Sequence, residues 1–449
     1  MGTAATLEEL VEEPPSTLPS EDVRYREDSE SSLFQPPVLF STTQWNDWRW
    51  QMRHRIRDLN TLERYFRYLE KSEGLMQATA RFPLAITPYY ASLIRRMDAT
   101  DPVFRMAVPQ AEELNDPPFL GDDPLEEDHD MPVPGLVHRY QDRALLIVTS
   151  TCAMYCRHCT RKRVAGQREN SISNDRLTQA VEYLKAHPEI HDVIISGGDP
   201  LTMQTKALER ILCAIRSVPS VDIIRIGTRT PVTVPMRVTD NLVSMLRKFH
   251  PLWINTHFNH PNEMTPVAAE ALAKLADAGI PLGNQTVLLR GVNDDPEVME
   301  TLCRALVRNR VRPYYLFQCD LVRGVEHFRT PISRGIEIME YLRGRLSGLA
   351  IPTFVVDTPH GGGKVPVLPN YVVSTSPTQT VLRTFEGVMV SYPEPVSYAE
   401  PSRQVGTPKE FGQTVSDLAR GKANKIGPQP TARQKRRTAW GVKTACERS

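Results

Sequence analysis

No stretch of about 18 consecutive apolar residues occurs in this chain, so no membrane-spanning helix is expected. The opening residues, MGTAATLEELVEEPPS, lack a basic segment followed by an apolar one. They therefore do not read as a secretory signal, and a soluble cytoplasmic protein is expected. An excess of charge is also missing. With 54 Lys and Arg against 53 Asp and Glu the net charge is +1, which argues against a nucleic-acid-binding protein as a whole. Cysteine is scarce and odd in number: seven among 449 residues, at 152, 156, 159, 213, 303, 319 and 446. A disulfide framework would spread its cysteines along the chain, whereas here three crowd into eight residues. That crowding points to a metal or redox site in a reducing compartment.

The residues that are present suffice for one large domain with additions, 40% of them being hydrophobic. Both ends are set apart by charge. Residues 1–40 hold nine acids and two bases and read as an acidic disordered tail. Residues 402–449 hold eleven bases and three acids, so 401–449 reads as a basic mobile tail. Within it Arg433, Lys435, Arg436 and Arg437 read as a solvated charge run rather than a nucleic-acid contact. Residues 41–134 are expected to form a helical region and a wrapping loop. Thr42 or Thr43 would cap a helix carrying Trp45, Trp48, Met52 and Ile56 at spacings of three and four, while 100–134 is rich in Pro and Asp. From about 143, short β-branched runs alternate with amphipathic stretches. The strands are expected at 144–150, 192–197, 222–228, 252–258, 283–289, 313–319 and 353–358. This pattern predicts an α/β parallel sheet, a full or partial barrel or else an open doubly wound sheet, with chemistry at the C-terminal strand ends. The core is expected over 135–370, with a C-terminal extension of it over 371–400.

The first strand runs into TCAMYCRHC, in which Cys152, Cys156 and Cys159 have C-x3-C-x2-C spacing. Three thiolates on one loop can hold three corners of an iron–sulfur cube and leave the fourth iron open to a small-molecule ligand. Zinc would need a fourth ligand, and His158 is adjacent. The next strand ends in Ser196-Gly197-Gly198-Asp199-Pro200, where glycines would let the backbone come close to a ligand. After the last strand comes Asp357-Thr358-Pro359-His360-Gly361-Gly362-Gly363-Lys364. It is no phosphate-binding P-loop, because Val365 follows the lysine. A lysine on a permissive backbone can instead form a Schiff base with pyridoxal phosphate.

The cysteine triplet followed by the glycine segment resembles the radical S-adenosylmethionine superfamily. That resemblance implies a 4Fe–4S cluster on Cys152, Cys156 and Cys159. It also implies S-adenosylmethionine at the open iron, beside Ser196, Gly197, Gly198, Asp199, His257 and Gln285. With Lys364, and with VHRYQDR, CRHCTRKRVAG, NTHFNHPNE, FQCD, HFRTP and LPNYVVS between about Trp45 and Pro395, the chain resembles lysine 2,3-aminomutases. The fold so implied is a partial (β/α)6-type radical-SAM barrel with an N-terminal helical extension and a C-terminal tail.

The implied activity moves the α-amino group of L-lysine to its β carbon, with Lys364 anchoring pyridoxal 5′-phosphate. Arg139, Tyr140 and Arg143 would hold the phosphate. Arg161 would hold the substrate carboxylate, and Asp320 and Asp357 its distal cation. An amino-acid substrate, a reductase or flavodoxin-type electron donor and a homo-oligomer are implied as partners. The chain departs from the clostridial-type pattern at a structural zinc site, since Asp295, Ser402, Gln404 and Thr407 stand where that pattern has cysteines. No zinc is expected. Arginine is the alternative substrate, since a guanidinium also pairs with two carboxylates. A non-catalytic electron-transfer protein is the alternative of another class, and it would need neither Lys364 nor the aspartate pair. A glutamate-acting enzyme is disfavoured because two aspartates would repel that side chain.

Overall fold

The computed structural model describes residues 33–37, 40–66, 71–166, 169–359, 362–395, 416–417, 420–422 and 432–440. Seven parallel strands form its centre: β2 (Arg143–Thr149), β3 (Asp192–Gly197), β4 (Ile223–Gly227), β5 (Leu252–Thr256), β6 (Leu282–Leu288), β7 (Val311–Gln318) and β8 (Thr353–Thr358). The short β1 (Leu136–Val137) and β9 (Gly363–Pro366) add antiparallel to the two ends. Each strand pairs with its neighbour in sequence from β1 to β9. A doubly wound sheet would reverse its order part-way, so this order decides for a barrel arc. β1 and β9 do not pair with each other, and the arc stays open.

The pattern follows from the residues. Val, Ile and Leu dominate the strands, and Ile195, Ile224, Ile226 and Ile254 are fully buried. Each such side chain contributes about 1.5–3 kcal/mol by leaving water. A helix bridges every pair of parallel strands: Asn174–Ala186, Thr205–Arg216, Asp240–Leu246, Pro266–Asp277, Pro296–Arg308 and Ile332–Leu342. Ser173, Thr239, Thr265 and Asp295 cap four of these with their side chains. The apolar stripe Leu208, Ile211, Leu212 and Ile215 shows how such a helix covers the sheet. The strands expected from sequence lie within two residues of those found. The exceptions are β1, β9 and three short strands beyond residue 370, which the strand pattern does not mark.

Three regions depart from expectation. The N-terminal stripe does not lie on one helix. Ser41, not Thr42 or Thr43, caps Thr42–Asn46 through a capping box with Gln44. Asp47 then ends that helix and caps the next, Trp48–Arg53, so Trp45 and Trp48 fall on different helices. Ile56 lies beyond both, bridged to Ile86. Second, the described residues of the expected core extension, 371–395, form a separate antiparallel sheet, β10 (Val372–Thr375), β11 (Gln379–Arg383) and β12 (Met389–Pro393), whose outer strands are exposed. Third, part of the basic tail is a helix, Ala432–Ala439, packed on the rim of the barrel mouth rather than solvated.

Candidate active site

The C-terminal ends of the strands open into one cavity of about 460 Å³. Its lining includes Cys152, Cys156, Cys159, Gly197, Gly198, His257 and Gln285, and also Tyr140, Arg161, Asp320, Asp357 and Lys364. The residues expected to hold the cluster, the cofactors and the substrate therefore line a single space.

At one end lies the cysteine loop, which the N-terminal region holds by its backbone. Tyr155 N–H donates to the Ala85 carbonyl at 3.0 Å, and Arg157 N–H to the Met106 carbonyl at 2.9 Å. The Arg55 guanidinium donates to the Cys152 carbonyl at 2.6 Å and pairs with Glu169. Arg157, 2% exposed, pairs with the fully buried Glu113 at 2.7 Å. Trp48 packs in a cluster with Ala153. Burial and then neighbouring anionic charge, including that of the other cysteines, push the Cys152 and Cys159 thiols up. The three sulfurs thus face a common space, where a metal cluster would take over the charge that burial disfavours. Arg229 Nη1 donates to Cys156 Sγ at 2.7 Å, while its Nη2 pairs with Glu263 at 2.6 Å.

The glycine segment works differently from the sequence reading. A Cβ on Gly197 would collide with the Thr149 carbonyl, and one on Gly198 with that of Thr151. The glycines bring the β3 end flush against the start of the cysteine loop. Gly197 also sits at φ +124°, where glycine is favoured. Asp199 is occupied by protein donors: Thr228 Oγ1 at 2.6 Å, Arg229 N–H at 2.8 Å and Leu201 N–H at 3.1 Å. It ties the β3 and β4 ends together. His257 is held down to about 4 by burial and by the Arg229 and Arg161 charges, so its imidazole is neutral.

At the other end, β9 runs back along β8 so that Lys364 stands opposite Asp357. The ion pair follows from that register: Lys364 Nζ lies 2.8 Å from Asp357 Oδ2. Arg139 Nη2 holds the other oxygen at 2.9 Å. Tyr140 lies under this group. Its hydroxyl accepts from Lys364 N–H at 3.1 Å, and Arg143 stacks on its ring at 4.2 Å. His360 and Gly361 fall outside the described residues.

Asp320 differs from Asp357. Its charged environment includes Lys364 and Asp357, but its direct partner is the Thr160 hydroxyl at 2.7 Å. Burial, with the Asp357 charge adding and the Thr160 hydrogen bond opposing, pushes Asp320 up to about 6. Arg161 is already paired. Glu127 takes its Nε at 2.9 Å and its Nη2 at 2.6 Å, and Nη1 reaches Ser196 Oγ at 3.3 Å. The edge formed by Nη1 and Nη2 therefore faces away from Glu127.

Comparison with known proteins now bears on this geometry. A family model described as lysine-2,3-aminomutase matches residues 339–448, and one for the radical SAM superfamily matches 146–302. The L-lysine 2,3-aminomutase of Clostridium subterminale is 51% identical over 400 residues, covering 88% of this chain and 96% of that protein. The chain belongs to the lysine 2,3-aminomutase family. The L-lysine 2,3-aminomutase of Fusobacterium nucleatum is 53% identical over 356 residues, 79% of this chain and 84% of its own. The glutamate 2,3-aminomutase of Clostridioides difficile is 46% identical over 347 residues, 77% of this chain and 82% of its own.

Family membership implies a 4Fe–4S cluster, S-adenosylmethionine and pyridoxal phosphate, and the residues present fit all three. Three thiols on one loop suit a cube with an open corner. Among the described residues no three His, Cys, Asp or Glu side chains converge around a single ion. A cube binds each thiolate through a different iron and takes thiols that stand apart. Arg139 Nε is buried with no hydrogen-bond partner, as a phosphate-binding donor is before its anion arrives. Lys364 shares Asp357 with Arg139, and its Nζ lies 5.7 Å from the Tyr140 ring centre. The cavity volume is that of a cofactor pocket.

Several site residues escaped the sequence reading. Glu127 and Thr160 are partners of Arg161 and Asp320; Glu127 carries no motif of its own, and Thr160 lies inside CRHCTRKRVAG without that motif marking its role. Arg229 follows the β4 end, in a place where the strand pattern could have found it. Tyr314, Tyr315 and Phe317 wall the cavity. Of the four positions compared with the zinc pattern, Asp295 caps the helix Pro296–Arg308. Ser402, Gln404 and Thr407 fall outside the described residues.

Proposed function

We propose that this protein moves the α-amino group of L-lysine to the β carbon, giving β-lysine. The observation that carries the reading is the joining of the three-cysteine loop and Lys364 in one cavity, with Asp320 on its wall. The relatives named for L-lysine support it. When bound, the cluster and S-adenosylmethionine supply a carbon radical, and pyridoxal phosphate supplies the π-bond across which nitrogen can migrate.

The chain's own residues do the rest. Lys364 would anchor the pyridoxal group, and Asp357 is placed to hold the proton on Nζ. Arg139 Nε, Arg143 and the Tyr140 hydroxyl would hold the phosphate. Ser196, Gly197, Gly198, His257 and Gln285 line the S-adenosylmethionine end, where the neutral His257 can accept or donate a hydrogen bond without adding charge. Arg161 takes the α-carboxylate on its Nη1–Nη2 edge. Asp320, oriented by Thr160, takes the distal ammonium. Asp357 is already paired with both Arg139 and Lys364, so it is the weaker of the two aspartates for that task. Tyr314, Tyr315 and Phe317 keep water from the reacting carbon.

We also propose a flavodoxin-type electron donor, which one-electron cleavage requires, and a homo-oligomer. Val372, Val373, Val388, Met389, Val390 and Tyr392, on or beside the small sheet, are between 45% and 60% exposed, apolar surface of the kind that subunits cover. Structural zinc is not expected, and metal analysis finding a chelation-resistant equivalent of zinc beside the iron would overturn that.

The test is anaerobic assay of the reconstituted enzyme with lysine, arginine and glutamate. β-Lysine is the expected product. β-Arginine alone would move the reading to the guanidinium substrate, and absence of any β-amino product would end it.

A further inference from the structure

The basic run near the C-terminus has no part in the chemistry above. In the structure it forms the helix Ala432–Ala439, and its bases are not spread evenly around it. Arg433, Arg436, Arg437 and Trp440, spaced at i, i+3, i+4 and i+7, turn toward the barrel, while Lys435 is exposed. Arg433 Nε donates to both Asp130 oxygens, at 2.8 and 2.7 Å, and Arg437 Nε to Asp130 Oδ1 at 2.8 Å. Arg437 also reaches Glu126 Oε2 from Nη1 at 3.1 Å and from Nη2 at 3.2 Å. Arg436 Nη2 donates to the Arg139 carbonyl at 2.7 Å. The Trp440 ring lies 5.9 Å from that of His138, the residue before Arg139.

These contacts fall on one short turn, Glu127–Asp130 with its leading residue Glu126, and on residues 138–139 before β2. Asp130 is fully buried, and a buried carboxylate stripped of its cations is strongly unfavourable. Glu126, which starts the turn, sits at φ +53°, a left-handed conformation that a non-glycine residue keeps only when its surroundings enforce it. The turn is therefore strained and carries a buried charge, and the helix supplies its counter-charges. The next residue is Glu127, which holds Arg161 by two hydrogen bonds along its Nε–Nη2 edge and is itself 5% exposed. Burial opposes its charge, but Arg161 and Arg163 together hold it down to about 2, so it stays ionised throughout the working range.

We propose that Glu127 is the positioning residue for Arg161, and that the C-terminal helix acts on substrate binding by locking the turn that carries Glu127. This rests on the reading of Arg161 as the α-carboxylate site. Glu127 occupies the Nε–Nη2 edge and leaves the Nη1–Nη2 edge aimed into the cavity. When the turn moves, the guanidinium swings and the carboxylate end of the pocket is lost, while the cluster and the pyridoxal anchor stay.

The test uses the full-length holoenzyme carrying Arg433→Ala and Arg437→Ala together, and separately Glu127→Gln. Binding of L-lysine is followed through the pyridoxal absorbance band, alongside iron content, pyridoxal content and amide exchange of residues 126–130. Both variants are expected to weaken lysine binding about tenfold, the scale of one hydrogen bond between charged groups. Iron and pyridoxal contents should be unchanged, and exchange at 126–130 should quicken in the double variant. Binding of 1,5-diaminopentane, which lacks the carboxylate, should be unaffected. Unchanged lysine binding, or equal loss for lysine and the diamine, overturns the proposal. Arg161→Ala serves as the control. If it weakens lysine binding while the other variants do not, the helix inference falls alone. If it too leaves lysine binding unchanged, the reading of Arg161 falls and the inference falls with it.

Discussion

The two ends of the cavity are built on opposite electrostatic plans. At the cysteine end, burial and mutual repulsion push thiols up, and the loop is held by its backbone N–H groups donating to the carbonyls of residues 85 and 106. At the lysine end nearly every charge has a partner: Asp357 with Arg139 and Lys364, and Glu127 with Arg161 and Arg163. The first end is a donor set completed by a metal. The second is a set of ion pairs that a dipolar substrate must join or exchange. Buried ion pairs contribute little net stability, but breaking one is costly, so they hold geometry rather than fold. The lesson is that tolerance to substitution should differ between the ends, all-or-none at one and graded at the other.

The largest expected effect lies at the cysteine end. Cys156→Ala should lose the cluster, with iron falling from about four per chain toward none, and 5′-deoxyadenosine formation should vanish. The variant should still fold, because the loop is held by Tyr155 and Arg157 on either side of the cysteine. A Cys156→Ala protein that still cleaves S-adenosylmethionine would remove the contrast between the ends.

The next effect separates the two aspartates. Asp320→Asn should raise KM for lysine by about two to three orders of magnitude, the scale of a buried charge pair broken, with iron and pyridoxal contents intact. Asp357→Asn should instead disturb pyridoxal loading, because Arg139 and Lys364 lose their shared counter-charge. If the two variants behave alike in substrate affinity and in cofactor content, the division of labour drawn here is wrong.

The legibility of the molecule follows the same divide. The arc and its strand ends were readable because β-branched runs and capped amphipathic helices are local signals. The cysteine loop and Lys364 were readable because each is a motif in sequence. Glu127, Thr160 and Arg229 were not, since each acquires meaning only from a partner distant in the chain: Arg161 is 34 residues from Glu127, and Asp320 is 160 from Thr160. The single-helix reading of 42–56 failed at Asp47, where a cap was hidden inside a helical pattern. The tail was misread because its composition was weighed without its period. Arg433, Arg436, Arg437 and Trp440 share one helical face, and a charged stripe bracketed by Trp is a docking pattern as much as a solvating one.

The smallest expected effect is the most diagnostic, since it concerns a single proton. Asp320 sits at about 6, raised from 3.8 by burial, with Asp357 adding to the rise. A raised carboxyl is neutral below its pKa, and a neutral carboxyl cannot pair with an ammonium. The substrate's distal ammonium stays charged throughout this range, its own pKa being about 10.4. Affinity should therefore climb as pH rises through about 6 and level off above it, with KM growing about tenfold for each unit below. The fold responds in the opposite sense. Without substrate, the native state binds more protons here than the unfolded chain, so Asp320 weakens stability as pH rises from about 4 to about 6. Added lysine should offset that loss, because its ammonium favours the ionised form. Thermal midpoints with and without lysine should then draw apart between pH 5 and pH 7, and Asp320→Asn should abolish the divergence. A wild-type protein whose lysine affinity is flat across that interval would show that Asp320 does not meet the substrate's cation, and would return the role to Asp357.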